Sequence, residues 1–311
     1  MSAKYSITKL LLIVFLIGCF IVLSLFFWSS YRIDSRERYT GQQLAIDGAF
    51  IKVGGVNTHL IRKGKGKPLI LIHGIFSSSF VWHKNIDALA EHFDVIALDL
   101  KGYGYSDKPA DGRYGREDFR QFVLDFMDAI KVNKAVLVGH SWGGGIAMDL
   151  ALQHPERVEK LVLINSTGYP PEPSFVEWLL RVPGVGRLIL AACDKGTFAR
   201  ILKERVFFDP ELVTEEEVEG WMRPYYVRGA AQAALELRNY HFDMAEEIRN
   251  ISQPTLIIWG KEDKALPAEV AERFRQDIKN SVLQIIPNCG HNPQEEKPEE
   301  VNGLIKWFAG N

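Results

Sequence analysis

The stretch Gly139-His140-Ser141-Trp142-Gly143 stands between a short apolar run and a segment of helical periodicity. No other stretch limits the possible folds as strongly. Residues 135–138 read as a strand buried on both faces of a parallel sheet, and residues 146–154 read as a helix. A serine held in a sharp strand-to-helix turn adopts strained backbone angles. Small residues must therefore flank it at minus two and plus two, the positions of Gly139 and Gly143. The turn lifts the hydroxyl clear of the backbone and aims a helix N-terminus at developing negative charge. The five-residue pattern alone recurs by chance in glycine-rich loops. The strand before it and the helix after it make Ser141 a candidate nucleophile.

A chain of 311 residues with 47% hydrophobic content can bury a large core, read here as one domain with an insertion. Its net charge is −2 with the two signs interspersed, and no basic stripe interleaves with aromatics. A nucleic-acid surface is therefore not expected. Cys19, Cys193 and Cys289 have neither metal-ligand spacing nor the density of a disulfide framework, so they do not fix a compartment.

Residues 10–28 are nineteen residues without a charge. As a helix they would span about 28 Å, close to the hydrocarbon thickness of a bilayer. Lys4 and Lys9 precede the run, and Trp28 and Tyr31 stand where interfacial aromatics usually lie. The pattern predicts a single-pass N-terminal membrane anchor. Two other readings stand beside it. A cleaved signal would need an Ala-x-Ala-like site, which is missing, and cleavage at the lipoprotein-like Leu16-Ile17-Gly18-Cys19 would leave nine apolar residues behind. Arg32, Arg36 and Arg38 outnumber the two lysines without deciding the orientation. Residues 31–47 read as a polar spacer, and residues 1–38 are assigned to anchor and spacer.

Strand patterns follow at 50–53 and 56–62, joined by the hairpin signal Gly54-Gly55. Further strands at 69–72, 95–98, 135–138 and 161–164 alternate with helical patterns at 80–92, 119–130 and 146–154. This alternation predicts an α/β fold, a mostly parallel sheet with helices on both faces. Between residues 168 and 250 the rhythm breaks. Only helical patterns remain, clearest at 197–207, 214–222 and 229–242, punctuated by Pro170, Pro171, Pro173, Pro183, Pro210 and Pro224. So long a segment is not a loop. It reads as a helical cap inserted into a core of 48–167 and 251–311. Strands resume at 255–259 and 282–286, with helices at 268–274 and 299–308, which makes eight strands.

In open parallel sheets, ligands bind beyond the carboxyl ends of the strands. His73-Gly74, Ser141, Asp263 and His291 all fall at such ends. A serine hydroxyl needs an imidazole to remove its proton, and a carboxylate must hold that imidazole in the right tautomer. His291 alone among the histidines follows Asp263 at the end of a late strand; His140 adjoins the serine with its ring expected to point elsewhere, and His73 is expected to order the neighbouring loop. For the acid, Glu262 and Asp243 are rivals to Asp263, while Asn165 fills the usual alternative position at the end of the preceding strand. The order Ser…Asp…His is the one expected for this architecture. The backbone amides of Ile75 and Trp142 are the expected oxyanion hole.

Together, His73-Gly74, residues 99–109, 139–143 and 260–263, and Gly290-His291-Asn292-Pro293 resemble the capped α/β-hydrolases over residues 48–308. The resemblance implies the α/β-hydrolase fold and a Ser141–Asp263–His291 triad. Serine at 141 departs from the epoxide hydrolases and haloalkane dehalogenases of this fold, which use aspartate there. Ile75-Phe76-Ser77-Ser78 departs from the Gly-Gly-Pro-Gly of proline iminopeptidases and the Gly-Pro-Gly common in carbon–carbon hydrolases. The expectation is a membrane-anchored serine esterase or lipase acting on a small apolar ester, without metal or cofactor. Thioester or carbon–carbon bond hydrolysis, and a ligand sensor with little turnover, are the alternatives. Of the cap aromatics Phe175, Trp178, Phe198, Phe207, Phe208, Trp221, Tyr225 and Tyr226, some are expected to line the pocket and the rest to pack helices.

Overall fold

A computed structural model describes residues 2–170, 179, 182, 184–237 and 242–310, with side chains in the first helix from residue 13 onward. Helix α1 (Ser2–Arg36) is 35 residues long. Its stretch Ile13–Arg36, whose most apolar 18-residue window has a mean hydropathy of 2.4, is long and apolar enough to cross a membrane by length and composition. Phe15, Phe20, Val22 and Phe27 on it are each more than 60% exposed.

The helix does not stop where a spacer is expected. It runs on through Tyr31 to Arg36 because its last turns have tertiary partners. Ile33 is buried against Ala191 and Ala231. Arg36 Nη1 donates to the carbonyls of Leu190 and Cys193, each at 3.2 Å. The next residue, Glu37, accepts the amides of Gly229 and Ala231 at 3.0 and 2.8 Å. A polar composition read as a spacer; its residues Ile33, Arg36 and Glu37 instead pack against and bond to residues 190–231. The short helix α2 (Gly41–Leu44) follows.

Eight strands form one sheet: β1 (Ala49–Val53), β2 (Val56–Gly64), β3 (Pro68–Ile72), β4 (Asp94–Leu98), β5 (Ala135–His140), β6 (Val158–Ile164), β7 (Thr255–Gly260) and β8 (Ser281–Ile286). Their spatial order is β1-β2-β4-β3-β5-β6-β7-β8. β2 pairs antiparallel with β1 and β4, and the other neighbours are parallel. Gly54 and Gly55 turn the first hairpin with φ of +54° and +87°, as a tight two-residue loop requires.

Alternation along the central strands builds two cores. Ile70, Ile72 and Leu137 pack on one face with Phe119, Phe126 and Trp142, from α4 (Arg116–Ala129) and α5 (Trp142–Gln153). Leu69, Leu71, Val136 and Val138 pack on the other with Trp82 and Leu89, the latter from α3 (Ile86–Ala90). The helix expected over 80–92 is in fact a 3₁₀ turn, Ser79–Trp82, followed by α3. Asn85 divides them, fully buried and donating to Asn302 Oδ1 at 2.9 Å.

Between β6 and β7 the described residues are helical: α6 (Val185–Ala192), α7 (Lys195–Ile201), α8 (Glu215–Met222) and α9 (Ala230–Leu237). α7 widens into a π-helical turn, Leu202–Val206. Residues 238–241 of the expected third helix, together with Pro171, Pro173, Phe175, Trp178 and Pro183, lie outside the described residues. Helices α10 (Ala268–Asp277), α11 (Pro293–Glu296) and α12 (Pro298–Gly310) complete the chain.

Candidate active site

Ser141 sits between the end of β5 and the start of α5 with φ +51° and ψ −118°. Non-glycine residues rarely hold such angles, at a cost of about 1–3 kcal/mol, so the surroundings must enforce them. Ser141 N donates to Ile164 O at 2.9 Å, and Thr167 N donates to Ser141 O at 3.0 Å. The flanking glycines are required by close approach. A Cβ on Gly139 would meet Gly143 O at 2.5 Å, and one on Gly143 would meet Ile72 O at 2.3 Å. Trp142 opens α5, where the first backbone N–H groups lie outside the helix's own hydrogen-bond ladder.

Beyond β7 and β8, His291 Nδ1 lies 2.7 Å from Asp263 Oδ2. An ionised carboxylate only accepts, so the imidazole donates through Nδ1 and leaves Nε2 as its second functional nitrogen. Asp263 is itself held on both oxygens. Asn165 Nδ2 donates to Oδ2 at 2.6 Å, and the amides of Ala265 and Leu266 donate to Oδ1 at 2.7 and 3.0 Å. Burial pushes this carboxyl up, but His291, Asn165 and the Leu266 amide outweigh burial and hold it below the usual carboxylate value. Glu262 turns instead to Cys289 N, and Asp243 to Ala245 N. Among the described residues, neither rival is bonded to a histidine.

His73 and His140, the two other histidines weighed near the site, have distinct places. Leu100 N donates to His73 Nε2 at 3.1 Å, so Nδ1 carries the proton and donates to Gly74 O at 2.8 Å. His73 thereby orders the loop leading to Ile75, as expected. That loop touches the serine: a Cβ on Gly74 would stand 3.1 Å from Ser141 Cβ. His140, whose ring was expected to point elsewhere, is a neighbour of the site. Its Nε2 donates to His291 O at 2.9 Å, and the two rings are 5.0 Å apart. Burial first, and then the adjacent His291, hold His140 down to about 3, so it braces the histidine loop as a neutral ring.

Ser141, His291, Ile75 and Gly74 open onto one cavity of about 350 Å³ whose walls are almost wholly apolar. Phe198, Trp221 and Tyr225 line it among the aromatics singled out from sequence, whereas Phe207, Phe208 and Tyr226 are not among its lining residues. Arg36, at the end of α1, also lines it. The sequence reading gave no role in the site to Asn165 or Arg36. Of these two, Asn165, a polar residue directly after the apolar run of β6, left a trace that could have been read.

The chain matches the family described as alpha/beta hydrolase fold over residues 67–298. It is 34% identical over 264 residues to an uncharacterized hydrolase, YugF, of Bacillus subtilis, covering 82% of this chain and 95% of that one. It is 33% identical to a 2-hydroxymuconate semialdehyde hydrolase of Pseudomonas sp. (strain CF600), covering 84% and 93%. Among solved structures, a membrane phospholipase A described as a bacterial virulence factor superposes with a TM-score of 0.69 at 26% identity, covering 99% of this chain and 98% of that one. A sheet of this order, a strained serine at the end of its fifth strand and a match across most of the chain agree: the protein belongs to the α/β-hydrolase fold family.

Proposed function

We propose that the protein is a serine hydrolase that cleaves carboxylic esters of apolar acyl groups through an acyl-enzyme. The observation that carries this reading is the pairing of His291 with an anchored Asp263 on the wall of the apolar cavity that Ser141 also faces. Ser141 Oγ attacks the ester carbonyl while His291 Nε2 takes its proton. Asp263 stabilises the imidazolium through Nδ1. The amides of Ile75 and Trp142 receive the oxyanion, supported by the N-terminus of α5. Collapse expels the alcohol with the proton from His291, and water then attacks the acyl-enzyme with the same histidine as base.

In this reading residues 168–250 act as a cap over a core of 48–167 and 251–311, and α1 anchors the protein in a membrane. The likeness to a membrane phospholipase A extends over α1, which supports a lipid ester as substrate. The likeness to a 2-hydroxymuconate semialdehyde hydrolase supports a second reading, carbon–carbon bond cleavage at the same serine. The two part in one experiment. Detergent-solubilised protein is assayed on p-nitrophenyl and glycerol esters graded by acyl length, and on 2-hydroxymuconate semialdehyde. Turnover of esters with labelling of Ser141 by a fluorophosphonate supports the first reading. Turnover of the semialdehyde alone replaces it with the second, and labelling without turnover of either leaves a sensor.

A further inference from the structure

Behind the wall of the cavity two buried carboxyl groups meet. Glu217 lies on α8, in the segment between β6 and β7, and Glu295 lies on α11, four residues past His291. Their side chains are 7% and 0% exposed, and an oxygen of each carboxyl lies within 4.8 Å of the other. Two ionised carboxylates only accept and repel, so a bond between groups this close and this buried needs a proton. Glu295 also ties together two residues of the cavity wall. Trp221 Nε1, from α8, donates to its Oε1 at 3.1 Å, and Asn292 Nδ2, beside His291, donates to its Oε2.

Charge counting gives the same answer. Lys84 Nζ stands 3.7 Å from Glu217 Oε2 and donates to the backbone carbonyl of Glu295. His83 Nε2 is also 3.7 Å from Glu217 Oε2, and its Nδ1, 4.0 Å from Glu295 Oε1, is engaged with Phe80 O. Burial pushes His83 below the ordinary histidine value, so it stays neutral near neutrality; Glu216 also faces it. Glu296 points away, accepting the amides of Phe208 and Gly290. Among the described residues, one lysine therefore faces two carboxyls, and the second must carry a proton to remain buried.

We infer that Glu217 and Glu295 form a proton-dependent latch that fastens α8, and with it the Trp221 wall of the cavity, to the segment carrying His291. Both are positioning residues. Burial, and then the neighbouring Glu217, raise the Glu295 carboxyl well above the usual value. A group raised in the folded state contributes stability that is full below its unfolded value and lost as pH rises through its folded one. On the alkaline side, two like charges in a poorly hydrated site separate Trp221 from Asn292. The cavity wall loosens while Ser141, Asp263 and His291 stay on the core.

The latch rests on the ester-hydrolase reading only in taking this cavity as the acyl site. Its test compares KM and kcat for p-nitrophenyl decanoate and acetate between about pH 5 and pH 10, in the full-length protein and in Glu217→Gln and Glu295→Gln. Tryptophan fluorescence is titrated in parallel, with Trp221→Phe identifying the Trp221 contribution. In the wild type the decanoate KM rises about tenfold or more across one alkaline transition, while the acetate values do not share it. Glu217→Gln supplies an amide donor at every pH and removes both this limb and the Trp221 fluorescence transition. Glu295→Gln removes them as well. An unchanged alkaline limb in Glu217→Gln, or no Trp221 transition in the wild type, overturns the latch. So does a low-KM form that EDTA abolishes and Zn²⁺ restores, which would make the cluster a cation site. If no ester is turned over, the functional reading fails, and the fluorescence titration still decides the latch.

Discussion

The Tyr225 hydroxyl donates to the carbonyl of Phe76 at 2.6 Å. It joins the turn Arg223–Tyr226 to the loop of Ile75 and Phe76 on another part of the cavity lining. Phe76 holds φ +55°, a conformation its own side chain disfavours, and Tyr225 is a tertiary contact available to hold it there. Tyr225→Phe removes the bond and keeps the ring in the cavity wall. Loss of one such bond costs about 1 kcal/mol, and the expected outcome is a roughly fivefold lower kcat on short and long esters alike, read by steady-state kinetics. A changed KM with unchanged kcat would limit Tyr225 to lining the cavity.

If Ser141 is the nucleophile of the proposed ester hydrolase, the expected outcome of Ser141→Ala is loss of ester turnover by a factor on the order of 10⁶, with a thermal transition near that of the wild type. His291→Ala behaves alike, and the double variant is no slower because the two residues act as a unit. Ser141→Gly separates catalysis from strain. It is equally inactive, yet relief of the +51° φ raises Tm by about 2 °C. Activity above a few per cent in Ser141→Ala would remove Ser141 as nucleophile.

Acid weakens the hold on His291. The Asp263 carboxyl titrates lower in the folded protein than in the unfolded chain, because His291, Asn165 and backbone amides outweigh its burial. Its contribution to stability is therefore full above the unfolded value and lost as pH falls through the folded one. The Tm difference between wild type and Asp263→Asn is greatest near neutrality and narrows below about pH 4. A difference independent of pH would show that Asp263 is not ionised in the folded state.

The end of α1 belongs with the cavity. Deleting residues 1–28 removes exposed apolar surface and leaves Ile33, Arg36 and Glu37 in place, so that form folds and hydrolyses water-soluble esters like the full chain. Deleting residues 1–38 strips the carboxylate from the Gly229 and Ala231 amides and the guanidinium from the carbonyls of Leu190 and Cys193. Stability falls on the order of 3 kcal/mol, and KM rises. Calorimetry and ester kinetics on the two truncations decide it; equal behaviour would make Arg36 and Glu37 dispensable.

The eight strands, their alternation with helices and the four chemical positions at strand ends could be read from the chain itself. Each of these rests on local pattern: apolar runs buried on both faces, glycines where a backbone passes closely, and a serine between strand and helix. The spacer read over residues 31–47 is instead helical through Arg36 and packed there, since a polar turn of helix looks the same whether solvent or protein covers one of its faces. Only the tertiary structure decided that Arg36 reaches the cavity, that Asn165 rather than a second acid steadies Asp263, and that Glu217 and Glu295 meet across 78 residues of sequence. These relationships are distances between groups remote in the chain, and hydrophobic periodicity carries no record of which buried polar atoms face one another.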